Sequence, residues 1–266
     1  KADLSPHTDI KFGFYTILLS ECKCEAYAYG HQCCDFSDGT LVCLTPGESI
    51  SMKENNKEFP SKGWILAFHP DLICGTPLGL NIHNYTFFSY CPEEALHLSL
   101  REKQIILEFL ERIRQELERC IDRHSKKIIS KYIELLLDYC TRFYERQFIT
   151  RSEVNKKVFR EFNHLLDNHF NVKVSLSTDV LSDEYCANLL HLSPAYFNDL
   201  LKYEIGKEFK EYIQFKRFEI AKGWLVNTDK TLGQIAQELG FSNSQYFSRL
   251  FKKITGCSPN EFRMPN

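Results

Sequence analysis

The sequence predicts an α+β chain whose first part is β-rich and whose last part is all helical. Three patterns carry that expectation. Short β-type runs broken by turn signals occupy residues 12–90, helical spacing of apolar residues begins at Ser99, and a helix, a tight turn and a second helix occur twice between Ser182 and Arg263. The expected boundaries are a β unit over residues 1–96, a helical pair over 97–150 and a helical domain over 154–266. With 266 residues, 43% apolar and 26% charged, the chain has the composition of a globular protein and the length for two domains.

Within the β unit, runs such as Phe14–Leu19, Leu41–Leu44 and Trp64–Phe68 alternate with the turn signals Ser37-Asp38-Gly39, Thr45-Pro46-Gly47 and Asn55-Asn56. Phe14, Tyr27, Phe36, Trp64 and Phe68 are candidates to line a ligand cavity there, or equally to fill the interior. Ser99 and Glu102 then have capping-box spacing, and Ile105, Ile106, Phe109, Leu110, Ile113, Leu117 and Ile121 set a helix running to about Arg123. A second helix, Ile128 to Tyr144, is apolar on more than one face. One face suits the β unit. Ile133, Leu136, Leu137 and Cys140 are candidates for a face shared either with the first helix or with a second subunit. Residues 147–153 read as a short polar passage, and residues 156–170 as an amphipathic helix that opens the last domain.

The C-terminal pattern is the most specific. Thr231 and Gln234 form a capping box, Ile235, Ala236 and Leu239 give an apolar stripe, and Gly240 ends the helix. Ser242 or Asn243 then caps a helix that buries Phe247, Leu250 and Phe251 and turns Ser244, Gln245, Ser248 and Arg249 outward. Tyr196, Phe197, Leu200, Lys202 and Gly206 repeat 50 residues later as Tyr246, Phe247, Leu250, Lys252 and Gly256. The upstream copy has Ala187, Leu190 and Leu192 on its core face, Ser193 as a cap and Pro194 at the first helical position. A helix over residues 208–226, burying Ile213, Ile220, Ala221, Trp224 and Leu225, joins the copies.

Two such motifs on one helix, closing with Gly256, Pro259 and Phe262-Arg263, resemble the DNA-binding domain of AraC/XylS-type bacterial transcription regulators. The resemblance implies double-stranded DNA as partner, with the second helix of each motif in a major groove and the grooves about 34 Å apart. By position in the motif, Ser244, Gln245, Ser248 and Arg249, with Ala195 and Asn198 upstream, are the candidates for base contact, since glutamine pairs adenine and arginine grips guanine. Ser193, Lys202, Asn243, Lys252 and Lys253 are the candidates for phosphate. Asp199 stands where the second motif has Arg249, which weakens base reading by the first. The N-terminal segments DFSDGTLVCLTPGESI and KGWILAFHPDLI resemble the cupin-like sensory β-barrel attached to many such regulators, which implies a small-molecule effector and the family's usual homodimer.

Composition bounds the alternatives. Net charge is −2, but residues 154–266 hold 15 Lys and Arg against 13 Asp and Glu, and from Lys207 onward ten against six. The sign suits phosphate, yet charge alone would not point to nucleic acid. Eleven cysteines, seven of them before Pro92, include no CxxC pair, and no secretory leader or membrane span is legible, so a reduced cytoplasmic protein is expected. Lys1 is not an initiator methionine, so residues are expected to precede it. Cys22, Cys24, Cys33 and Cys34 cluster in sequence and could form a redox switch, yet buried free cysteine commonly behaves as a small hydrophobe, which is the preferred reading. His31, His69 and His83 include no HxH pair, so no metal and no cofactor are expected. No catalytic constellation stands out. An effector-controlled regulator is therefore the leading expectation, with a constitutive dimeric regulator or a cupin-type enzyme bearing a DNA-binding tail as alternatives.

Overall fold

The computed structural model describes residues 10–11, 13–20, 32–50, 63–171 and 181–263. The chain divides into two compact units, Lys1–Asn155 and Lys156–Asn266.

In the first unit, β1 (Ile10–Lys11) pairs with β4 (Ser49–Ile50), and β2 (Tyr15–Ser20), β3 (Gly39–Leu44), β5 (Gly63–Phe68) and β6 (Leu96–Leu98) form an antiparallel sheet in the order β5-β2-β3-β6. Ile17 faces Cys43 on one side and Leu66 on the other. The central strands are buried on both faces, so they read as unbroken apolar runs, whereas β5, at an edge, alternates and leaves Ile65 in solvent. Among the described residues this sheet is open, and the expected barrel is not formed. Residues 70–94, expected as strand and turn, are instead short helices: α1 (Pro70–Ile73), α2 (Pro77–Asn81) and three 3₁₀ turns. Three of these segments begin with proline, which favours a first helical turn and lacks the N–H a central strand needs.

α3 (Leu100–Leu117) starts at the expected capping box, with Ser99 accepting from the Glu102 amide and Glu102 returning to the Ser99 amide. It stops one and a half turns early, so Ile121 lies outside the helix and in solvent. α4 (Ser125–Thr150) packs against α3 on one side and β6, α1 and α2 on the other. Ile133, Leu136, Leu137 and Cys140 are completely buried between these partners within a single chain, which removes them from any subunit interface. The polar passage expected at 147–153 is also corrected. Gln147 is buried in the last turns of α4, its carbonyl accepting from the His97 amide at 2.8 Å and its amide donating to the Ala95 carbonyl at 3.0 Å, so a polar residue closes the end of β6. Beside it Arg151 makes a two-bond ion pair with the buried carboxylate of Asp35, at 2.6 and 2.9 Å.

α5 (Ser152–Asn171) carries the chain onward. The second unit continues with α6 (Asp183–Leu189), α7 (Pro194–Ile205), α8 (Phe209–Asn227), α9 (Leu232–Glu238), α10 (Ser244–Thr255) and α11 (Pro259–Arg263). It holds two apolar clusters, and α8 serves both. Its first half gives Phe209, Tyr212 and Ile213 to a cluster with Phe162, Leu166, Cys186, Ala187, Phe197 and Leu201. Its second half gives Phe218, Ala221 and Leu225 to one with Ile235, Ala236, Leu239, Phe247 and Phe251. The expected Ile220 and Trp224 only flank the second cluster, and the unexpected Phe218 sits in it, stacked on Phe247 and edge-on to Phe251.

Candidate nucleic-acid interface

Each half of the second unit is a short helix, a left-handed turn residue and a longer helix. In the downstream copy the Thr231 capping box starts α9, and Gly240, at φ 73°, reverses the chain so that the Phe241 amide reaches back to the Ala236 carbonyl at 2.8 Å. Asn243 caps α10, its side-chain carbonyl accepting from the Tyr246 amide at 2.7 Å, and Gly256 ends α10 in the left-handed region. Phe247 and Phe251 fix the inner face. Gln245 and Arg249 are exposed on the outer one, Ser244 and Ser248 half-buried beside them, and Lys252 and Lys253 exposed in the last turn.

In the upstream copy the same turn is made by His191, at φ 57°, with the Leu192 amide donating to the Ala187 carbonyl at 2.9 Å. The 50-residue offset therefore holds only for the second helices. Before the caps the equivalent bonds, Leu192 to Ala187 and Phe241 to Ala236, are 49 apart, because the downstream turn has one residue more.

The outer faces differ further. Ser193, expected at phosphate, is buried with its hydroxyl accepting from the Tyr196 amide at 3.1 Å, which commits it to capping α7. Asn198, expected at a base, is half-buried, and its amide donates to Asp183 and to the Pro194 carbonyl, both at 3.0 Å. Ala195 and Asp199 are half-buried, and Lys202 is exposed but paired with Glu208 at 3.2 Å. Tyr196 is 4% exposed, while its counterpart Tyr246 is 42% exposed and joins Gln245 and Arg249 at the surface, which the repeat by itself does not signal. Asp183 and Glu184 put negative charge in the first turn of α6, and α9 has none there. The downstream face is basic and the upstream one acidic.

Residues 186–264 match a family described as a helix-turn-helix domain. The arabinose operon regulatory protein of Salmonella typhimurium is 32% identical over 101 residues, covering 38% of this chain and 32% of that protein. The second unit contains an AraC-type helix-turn-helix domain. The uncharacterized HTH-type transcriptional regulator YtdP of Bacillus subtilis is 33% identical over 111 residues, covering 42% of this chain and 14% of YtdP. The uncharacterized HTH-type transcriptional regulator YijO of Escherichia coli is 24% identical over 225 residues, covering 85% of this chain and 76% of YijO. Apart from YijO, the chain spans less than half the length of these relatives.

The candidate aromatics of the first unit that fall among the described residues differ in their surroundings. Phe14 meets His69 edge-on, Phe36 lies under the Arg146 guanidinium at 4.7 Å, Trp64 is half-buried on the edge strand and Phe68 stacks on Tyr15 in the core. Tyr27, like Cys22, Cys24 and His31, falls outside the described residues. His69 caps α1, accepting from the Asp71 amide, and His83 is exposed. Among the described residues no group of side chains is arranged to hold a metal ion. Cys33 and Cys34 are exposed, but burial and the neighbouring Asp35 carboxylate push the Cys34 thiol up, away from a reactive thiolate. Among the described residues no helix is long and apolar enough to cross a membrane.

Proposed function

We propose that the chain is a sequence-specific DNA-binding transcription regulator that reads bases through α10. The observation that supports this most is the outer face of α10, where Gln245 and Arg249 stand in solvent at the positions of a recognition helix, with no carboxylate paired to Arg249 among the described residues. Lys252 and Lys253 at the end of the same helix suit the phosphates on either side. Selection from a random duplex pool by the full chain tests the reading: a recovered consensus supports it, and a pool that stays random refutes it.

The first unit is the regulatory part in this proposal. Its support is that the similarity to YijO runs over both units, so the pair occurs together in another HTH-type regulator. A small molecule or partner held there shifts DNA affinity, in the cytoplasm where the chromosome lies. Running the selection with and without cell extract separates this from a constitutive regulator.

A homodimer belongs to the same proposal, with its surface moved. Ile128 and Leu135 lie seven residues apart on α4 and Ile149 fourteen further on, so the three share an exposed stripe, with the exposed Arg142 between the last two, next to the buried Leu136. Leu135→Glu should give a folded monomer in sedimentation velocity at micromolar concentration. A wild-type chain that already sediments as a monomer would remove the dimer.

A further inference from the structure

Phe209, Ile213, Arg217, Ala221 and Leu225 recur every four residues on α8 and so form one ridge that winds from the side facing the first cluster to the side facing the second, each member next to the one before it. Four of the five are buried, Phe209 and Ile213 in the first apolar cluster, Ala221 and Leu225 in the second. The middle one is a cation. Its guanidinium lies over the Phe241 ring at 6.0 Å, and its Nε is shut off from solvent with no hydrogen-bond partner. Among the described residues no carboxylate pairs with it: the flanking Lys216 and Lys222 have Asp167 at 4.0 Å and Glu219 at 2.8 Å. Burial holds the Arg217 pKa below its ordinary value, and the imidazole of His169 on α5, itself partly desolvated, is held down further by the same charge.

A desolvated guanidinium without a counter-charge is costly, and an aliphatic residue would continue the ridge at no such cost. An anion from outside the protein would compensate this charge, at a point on the helix that spaces the two motifs. We propose that Arg217 is a DNA phosphate-binding residue, taking a backbone phosphodiester where the duplex passes from one motif to the other. Arginine suits the task, because its planar fork of donors matches phosphate geometry and is less strongly hydrated than an ammonium. The contact fixes register and carries no base information. The assignment rests on the DNA-binding reading above.

The test uses the full chain, a 40-base-pair duplex of arbitrary sequence and a duplex recovered by selection, with affinity followed by fluorescence anisotropy across a salt series. Arg217→Met should weaken binding to both duplexes by about eightfold at 0.1 M salt, the value of one phosphate contact with a salt slope near −0.9, and should reduce the slope by about one. Base preference should stay unchanged and Tm should not fall, since the apolar side chain completes the ridge. Arg217→Lys, which keeps the charge, should retain the slope. Unchanged affinity and slope in Arg217→Met, a loss confined to one base pair, or a lower Tm with the wild-type slope would each overturn the assignment. A wild-type chain that binds neither duplex would defeat the DNA-binding reading first, and this assignment with it.

Discussion

The two helix-turn-helix copies share a skeleton and differ in surface. Both place an aromatic at the same depth, Phe197 and Phe247, each fully buried, and both end their second helix on a left-handed glycine, Gly206 and Gly256. Outside that skeleton they part. The upstream copy commits its polar side chains to partners within the protein, Ser193 to a cap, Asn198 to Asp183 and the exposed Lys202 to Glu208, whereas the downstream copy leaves Gln245, Arg249, Lys252 and Lys253 outward. The comparison teaches that a repeated motif preserves a fold without preserving a reading surface. Base recognition needs donors that are not already bonded within the protein.

The largest effects should fall where the copies agree. Phe197→Ala and Phe247→Ala each empty the centre of a cluster and should each cost about 3–5 kcal/mol of stability in denaturant melts, with neither copy spared. A copy that lost under about 1 kcal/mol would not depend on its aromatic as the packing requires.

Where they differ, the effects should separate. Arg249→Ala should cost about 1–3 kcal/mol of affinity at a selected site, confined to substitutions at one base pair. Asn198→Ala should leave base preference alone and act through stability by about 1 kcal/mol, through the lost bonds to Asp183 and Pro194. Relaxed base preference in Asn198→Ala would break the comparison.

The smallest effect lies in the turns. His191 holds a left-handed conformation that costs a residue with a Cβ about 1–2 kcal/mol relative to glycine. Against the entropy of an added glycine, His191→Gly should stabilise the upstream copy by up to about 1 kcal/mol, while Gly240→Ala should destabilise the downstream one by a similar amount. Thermal melts of the two variants, moving in opposite directions, check this.

Much of the second unit was legible because its signals are local. The capping box at Thr231, the caps Ser193 and Asn243, and the glycine ends at 206 and 256 are each set by residues a few positions apart, as is the Ser99 capping box in the first unit. The helical spacing of Phe247, Leu250 and Phe251 marks an inner face, and Phe247 and Phe251 are buried in the second cluster. What the sequence hid was long-range. Nothing near Gln147 says that it will meet β6, and nothing near Asp35 announces Arg151, 116 residues away. Short apolar runs over residues 63–98 suit strand and short helix equally, so the sheet came out smaller than expected and open. For Leu136 the sequence left a second subunit and the first helix open as partners, because periodicity tells that a helix has two apolar faces, not which partners cover them. Arg217 was passed over for the opposite reason: the four-residue ridge through Phe209 and Leu225 was there to be read, with a charge at its centre.

In the proposed function the downstream copy specifies sequence and the upstream copy mainly positions the duplex. Its most direct test is systematic base substitution across a selected site, with the affinity of the full chain measured for every single change. The account expects one block of three to five base pairs, on the α10 side, where changes cost about 1–3 kcal/mol each, and a second block about one helical turn away that tolerates every base. Two blocks of equal information, or a sharp block on the α7 side, would contradict it.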